Sequence, residues 1–224
     1  MRQVPYAAAR STESILSTNK LIRNTYTLLS MTLLFSAVMA GISMVIRTPA
    51  WIPIASSLAA LVLLWFVIPR YRNSSAAVTL TFVFTGLLGF GLGPTLNYYV
   101  DVFSNGTELI LTAAGGTGVI FLGLSGYVMT SKKDFSFMGG FLFVGLIVAV
   151  LGMVGALIFS IPSVFLAISA MMVLLMSGFI LYDTSRIIHG GETNYVMATI
   201  SLFLDIIILF QHLLNLLGAF AGED

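Results

Sequence analysis

The fold is decided by one continuous stretch: ISAMMVLLMSGFILYDTSRII (Ile168–Ile188), HGGETN (His189–Asn194) and YVMATISLFLDIIILFQHLLNLL (Tyr195–Leu217). Each apolar run is long enough to cross the ~30 Å hydrocarbon core of a bilayer as a helix of about 20 residues. The polar connector between them makes a helical hairpin. Each run carries one carboxylate, Asp183 in the first and Asp205 in the second. An ionisable side chain inside a span costs about 2.5–3.5 kcal/mol on insertion scales, so these two acids are the leading candidates for function.

Five further apolar runs precede the hairpin, at about Thr25–Ile46, Trp51–Ile68, Ala76–Tyr99, Leu109–Met129 and Phe137–Phe159. Pro162–Phe165 forms the entry to the sixth run. Trp51 and Trp65 lie near the ends of the second run, where interfacial aromatics belong. The chain is 58% hydrophobic and 8% charged, with a mean hydropathy of +1.02. A soluble domain needs roughly 25% charged residues to cover its surface. The pattern therefore predicts an all-α integral membrane protein, a seven-helix bundle whose partner is the lipid bilayer. Residues 1–23 read as a cytoplasmic N-terminal segment, 24–218 as the transmembrane domain and 219–224 as a short acidic tail. The N-terminal segment lacks the apolar core of a cleaved signal peptide. A net charge of +1 argues against nucleic-acid binding. With no cysteine, disulfides, thiolate nucleophiles and cysteine-ligated metals are excluded.

Lysine and arginine orient the bundle. With the N-terminus cytoplasmic, Arg2, Arg10, Lys20, Arg23, Arg70, Arg72, Lys132, Lys133 and Arg186 all fall inside, and Arg47 alone falls outside. An extra or missing span would scatter those charges, so the bias supports the count of seven. The expected localisation is a bacterial inner membrane, multi-pass, with the C-terminus periplasmic.

Glycines crowd the third to fifth runs: Gly86, Gly89, Gly91 and Gly93, then Gly115, Gly116, Gly118, Gly123 and Gly126. Small residues let helix backbones approach closely in lipid, and Gly89 and Gly93 have the small-xxx-small spacing. Gly93-Pro94 can alternatively be read as a helix break beside a cavity.

Asp205 lies about ten residues into its span, about 15 Å deep. Ser201, Asp205, His212 and Asn215 recur on one side of that helix, a polar stripe that must face protein or water. Asp183 lies shallower. The sequence permits the two acids to pair; the alternative is that each separately bonds a backbone or hydroxyl group. Two carboxylates in a low-dielectric site cannot both ionise cheaply, so a pair would hold a single proton and act as a proton sensor. In its charged form it would offer hard oxygen ligands to calcium, making Asp183 and Asp205 the candidate metal ligands. Arg70 and Arg72 are candidate cationic partners, or ordinary membrane anchors. His189 and Glu192 are too few ligands to argue a metal site.

Ile180-Leu181-Tyr182-Asp183, His189-Gly190-Gly191-Glu192-Thr193-Asn194-Tyr195 and Ser201-Leu202-Phe203-Leu204-Asp205 resemble the Bax-inhibitor (transmembrane Bax inhibitor motif) family. So do Gly86–Pro94 and Lys132-Lys133-Asp134-Phe135-Ser136-Phe137. The likeness runs from Ser17 onward and is closest to the bacterial YccA-like branch. It implies a seventh helix enclosed by the other six, and a pH-sensitive leak for calcium and protons with no cofactor. It also implies a di-aspartyl sensor, here Asp183 and Asp205, coupled to an arginine ending the second helix, here Arg70. The YccA branch adds a different role, as substrate or modulator of the membrane-bound FtsH protease, with residues 1–23 as the accessible handle.

Two enzyme readings compete. Tyr182-Asp183 and Asp205 resemble the layout of intramembrane aspartyl proteases of the presenilin type, but Phe203-Leu204 replace the Gly-x-Gly and no Pro-Ala-Leu occurs. Gly123-Leu124-Ser125-Gly126 with His212 resembles a rhomboid serine–histidine dyad. The expectation is a protein that is not an enzyme.

Overall fold

In the computed structural model the backbone is described for residues 6–159 and 161–221, and the side chains for 16–159, 161 and 163–221. Seven helices are long and apolar enough to cross a membrane. They are α1 (Tyr6–Val45), α2 (Ile52–Tyr71), α3 (Ala76–Val102), α4 (Gly106–Ser131), α5 (Gly139–Phe159), α6 (Pro162–His189) and α7 (Tyr195–Ala221). Among the described residues there is no strand. The count and class are those predicted. The helices overrun the apolar runs at most ends, because a helix continues into the interfacial region where side chains turn polar. The largest overrun is in α1, which starts at Tyr6 rather than near Thr25.

The lipid-facing surface is apolar, as the composition demands: Leu34, Val38, Trp65, Phe137, Phe143 and Leu157 are all exposed. The core is built around α7, whose Leu202, Phe203 and Leu209 are fully buried. α7 packs against α1, α3, α4 and α6. α2 and α5 approach α7 less closely: α2 packs on α3 and α5 on α6, with Ala60 and Leu64 of α2 facing Leu204 and Ile208 of α7 across a cavity. Their exposed residues are the reason. Val144, Val148, Leu151 and Ile158 of α5 all face outward, leaving α5 a narrow contact stripe.

α3 is held between α1 and α2 by glycine. A Cβ at Gly89 would stand 2.7 Å from the Ser36 Cα of α1, and one at Gly93 would stand 2.9 Å from the Ser43 carbonyl carbon. No side chain fits there, so the small-xxx-small spacing marks backbone-to-backbone packing. The helix-break reading is corrected, since α3 runs unbroken through Pro94. Proline normally clashes with the Cβ of the residue before it; Gly93 has none. Asn97 Nδ2 then donates to the Met44 carbonyl at 3.1 Å, tying α3 to α1 just beyond. In α4 the packing reading does not hold for Gly115, Gly118, Gly123 and Gly126, whose missing Cβ atoms would meet nothing within 4 Å.

Proline does perturb α2. Residues Leu63–Val67 form a π turn, with the Ile68 N–H donating to the Leu63 carbonyl. Pro69 has no N–H for the Trp65 carbonyl and its ring crowds that oxygen, so the ladder slips by one residue before it. Arg70 follows this slip.

Candidate functional site: a buried carboxyl pair

The α6–α7 connector sets the register of the two acids. Gly190 ends α6 in the left-handed region at φ 78°, the usual glycine stop. Asn194 starts α7: its Oδ1 accepts the Val196 N–H at 3.0 Å and the Met197 N–H at 3.1 Å. Glu192 caps the turn, its Oε1 accepting the Thr193 and Asn194 N–H groups, each at 2.8 Å. Asn194 Nδ2 donates to the Arg72 carbonyl at 2.8 Å, pinning the hairpin to the end of α2.

Asp183 lies six residues before the end of α6 and Asp205 ten residues into α7. By helix rise that is about 9 Å and about 15 Å from the connector. The structure nonetheless makes the two buried carboxyl groups electrostatic neighbours. The gap closes because Cα–Cβ bonds tilt toward a helix N-terminus. In an antiparallel pair this sends Asp183 deeper and Asp205 back toward the connector. Both are buried, with 9% and 6% exposure. The second oxygen of Asp205, Oδ2, is buried with no hydrogen-bond donor. Two bare carboxylates in such contact repel, whereas one proton between them makes a hydrogen bond.

The cation beside the pair is Arg186. Its Nη1 lies 3.7 Å from Asp183 Oδ1, Nη2 donates to the Gly191 carbonyl at 3.1 Å, and the guanidinium lies over the Tyr182 ring at 5.5 Å. Arg70 is exposed and makes no ion pair among the described residues. Arg186 is one helical turn from Asp183, so helix geometry alone puts it there. Arg72 contributes its backbone carbonyl to Asn194.

Beside the pair lies a hydroxyl cluster. Tyr26 of α1 hydrogen-bonds Ser125 of α4, which lies 3.1 Å from Thr184 of α6. Three helices thus meet at the residue next to Asp183. Sequence reasoning treated Ser125 only as half of a dyad; the signal available was a buried Thr adjoining the key acid. The dyad does not form, because His212 Nδ1 lies 3.1 Å from Ser169 Oγ, which also accepts from Asn215 Nδ2 at 2.7 Å. His212 stands about 10 Å beyond Asp205 along α7, in the wall of a cavity with Thr95, Tyr99 and Gln211. Ser201 is half-buried and contributes no side-chain hydrogen bond among the described residues.

His189 and Glu192 do not converge. His189 Nε2 reaches the Lys132 carbonyl at 3.1 Å, and Glu192 stays in the turn. Among the described residues no three His, Asp or Glu side chains gather to hold a metal. A calcium ion at Asp183 and Asp205 would have two protein carboxylates, with water completing its six to eight oxygens.

Comparison with known proteins agrees with this architecture. The family model described as inhibitor of apoptosis-promoting Bax1 matches residues 18–222. A membrane protein of Vibrio cholerae is 48% identical over 219 residues, covering 98% of each chain. The Escherichia coli K12 protein named modulator of FtsH protease YccA is 44% identical over 212 residues, 94% of each chain. Its counterpart in Escherichia coli O6:H1, named inner membrane protein YccA, matches to the same extent. With a buried acid pair on the last two of seven spanning helices and a family match over nearly its whole length, the chain belongs to the Bax inhibitor family.

Proposed function

We infer that this protein is a pH-responsive calcium leak of a bacterial inner membrane, governed by the Asp183–Asp205 pair. The observation that carries this reading is the proximity of two buried carboxyl groups on helices packed against each other. With one proton the pair is a hydrogen bond that holds α6 to α7. Without it, two like charges repel across that contact and attract a hydrated cation. The proton count of the pair thus acts on the helix pair at the centre of the bundle. The inner-membrane location follows the names of the Escherichia coli relatives, and the charge bias supports a cytoplasmic N-terminus.

The test is calcium flux into liposomes holding the purified protein, over a pH series. Wild type should show pH-dependent flux. Asp205→Asn and Asp183→Asn keep size and hydrogen-bonding capacity but remove the shared proton, so flux should become nearly independent of pH between about 5 and 8. The double mutant should be no worse than either single one, since residues acting as a unit are non-additive. A wild-type pH profile in either single mutant rules out the paired sensor.

A second reading has its own support: the Escherichia coli relative is named a modulator of the FtsH protease. On that reading the bundle is an adaptor, and residues 1–23 are the handle. Pull-down of the protease by the full-length chain, with no flux at any pH, puts that reading first. A proteolytic role for the pair, the remaining alternative, predicts cleavage of a membrane-spanning substrate that Asp205→Asn abolishes.

A further inference from the structure

α1 and α4 both pack on α7, yet they make no close backbone approach to each other anywhere along their described lengths. The seam between them is open to lipid and holds two cavities. The first, about 540 Å³, lies at the lysine- and arginine-rich end. Thr18 and Asn19 of α1, Lys132 of α4 and His189 of α6 form its polar side, with Ile22 and Met129 on the apolar side. The second, about 420 Å³, lies deeper in the same seam and is almost wholly apolar, walled by Ala37 and Ala40 of α1 and Ala114 and Gly118 of α4. Between the two, the Tyr26 side chain crosses the seam to Ser125.

We propose that the α1–α4 seam binds one anionic phospholipid, headgroup phosphate in the Lys132 cavity and one acyl chain laid over Tyr26 toward the apolar cavity. Charge supports the choice of lipid. The Lys132 ammonium has no acid partner among the described residues. The acids nearby are engaged elsewhere: Asp134 by Ser136 and Ser185, Glu192 by the connector N–H groups. Thr18 and Asn19 add neutral donors, and the site lies where headgroups lie. Basic pockets between helices at this level are the usual seat of anionic headgroups. His189 is a positioning residue: its Nε2–H donates to the Lys132 carbonyl, holding a residue that sits in the left-handed region at φ 53°. Length supports the second half. Phe121, at the near end of the apolar cavity, is eleven residues from Lys132 along α4. That is about 16 Å, the depth of one leaflet's hydrocarbon. The bound chain would press on Tyr26, and through Ser125 and Thr184 reach the neighbour of Asp183.

The test is lipid retention by the purified full-length protein, read by native mass spectrometry. Dioleoyl-phosphatidylglycerol and dioleoyl-phosphatidylcholine are offered at equal concentration. Wild type should retain one phosphatidylglycerol in preference to phosphatidylcholine by about fivefold, the attraction of one basic residue for an anionic surface. Lys132→Gln should lose that preference. Lys133→Gln should keep it, because Lys133 lies over the Tyr127 ring, 5.7 Å from its centroid, and does not line the cavity. Asn19→Asp, which brings a negative charge from the opposite wall, should lose the preference too and covers the case of a misfolded Lys132 variant. Gly118→Leu, which fills the apolar cavity, should weaken retention of both lipids alike. Equal retention of the two lipids by wild type overturns the proposal, as does equal loss in Lys132→Gln and Lys133→Gln. Full displacement of the lipid by millimolar inorganic phosphate overturns it in favour of a free-phosphate site.

Discussion

Arg186 is the charge nearest the Asp183–Asp205 pair, and the proposed pH response makes its removal informative. Arg186 lies 3.7 Å from Asp183 and is about one-third exposed, so its attraction is partly screened. A nearby positive charge favours an ionised carboxylate. Arg186→Gln should therefore move the midpoint of the flux-against-pH curve to higher pH, by up to about one unit. Arg70→Gln should leave the midpoint in place, because Arg70 makes no ion pair among the described residues. The same flux assay measures both. A midpoint that moves for Arg70 and not for Arg186 would restore the sequence-based assignment.

Element contacts explain why identical substitutions should differ between α3 and α4. Gly89→Ala drives a methyl into the Ser36 backbone, whereas Gly123→Ala meets open space. Overpacking costs about 1–3 kcal/mol, while alanine in an open helical position gains roughly 0.5–1 kcal/mol over glycine. Thermal unfolding in one detergent should show Gly89→Ala less stable than wild type and Gly123→Ala equal to it or better. The α4–α5 loop supplies a control for the pH experiments. Asp134 accepts from the Ser136 N–H at 2.8 Å, from the Ser136 hydroxyl, and from Ser185 Oγ at 3.2 Å. The Ser136 bonds hold its carboxyl below the ordinary value of 3.8. A depressed carboxyl contributes stability above its unfolded value and loses it as pH falls through the folded one. That window lies below pH 4, so Asp134→Asn should leave the flux profile between pH 5 and 8 unchanged.

At the scale of the whole molecule, the charges sort to one end. Loops 72–75, 132–135 and 190–194 share the end that carries Arg70, Arg72, Lys132, Lys133 and Arg186. The other end carries Arg47, which pairs with Asp101 through two hydrogen bonds of 3.0 and 3.2 Å. Reporter fusions should place the N-terminus in the cytoplasm and the C-terminus outside; the same compartment for both would sink the topology. Deleting Met1–Ile15 should spare calcium flux, since the acid pair lies on α6 and α7. The same deletion should weaken FtsH association if the second reading holds. A correctly inserted truncation without flux would contradict that division.

Hydropathy and the cost of a buried charge are properties of single residues and short windows, so the class, the seven spans and the two buried acids were legible in the sequence. The sequence also marked Gly89 and Gly93 as a site of close helix packing, since their spacing is local; that α1 is the partner came from the structure. Tertiary structure alone decided whether the acids meet. Their depths differ by about 6 Å along the helices, and the side-chain tilt of an antiparallel hairpin closes that difference. The Asp183–Arg186 ion pair is the opposite case: it lies within one turn of α6 and is local in sequence. The Tyr26–Ser125–Thr184 cluster and the open α1–α4 seam were illegible in one dimension: their residues are 59 to 158 positions apart or on helices whose backbones make no close approach. Contacts between hydroxyls carry no periodic signature, and a gap between two helices is a property of their shared neighbour, α7.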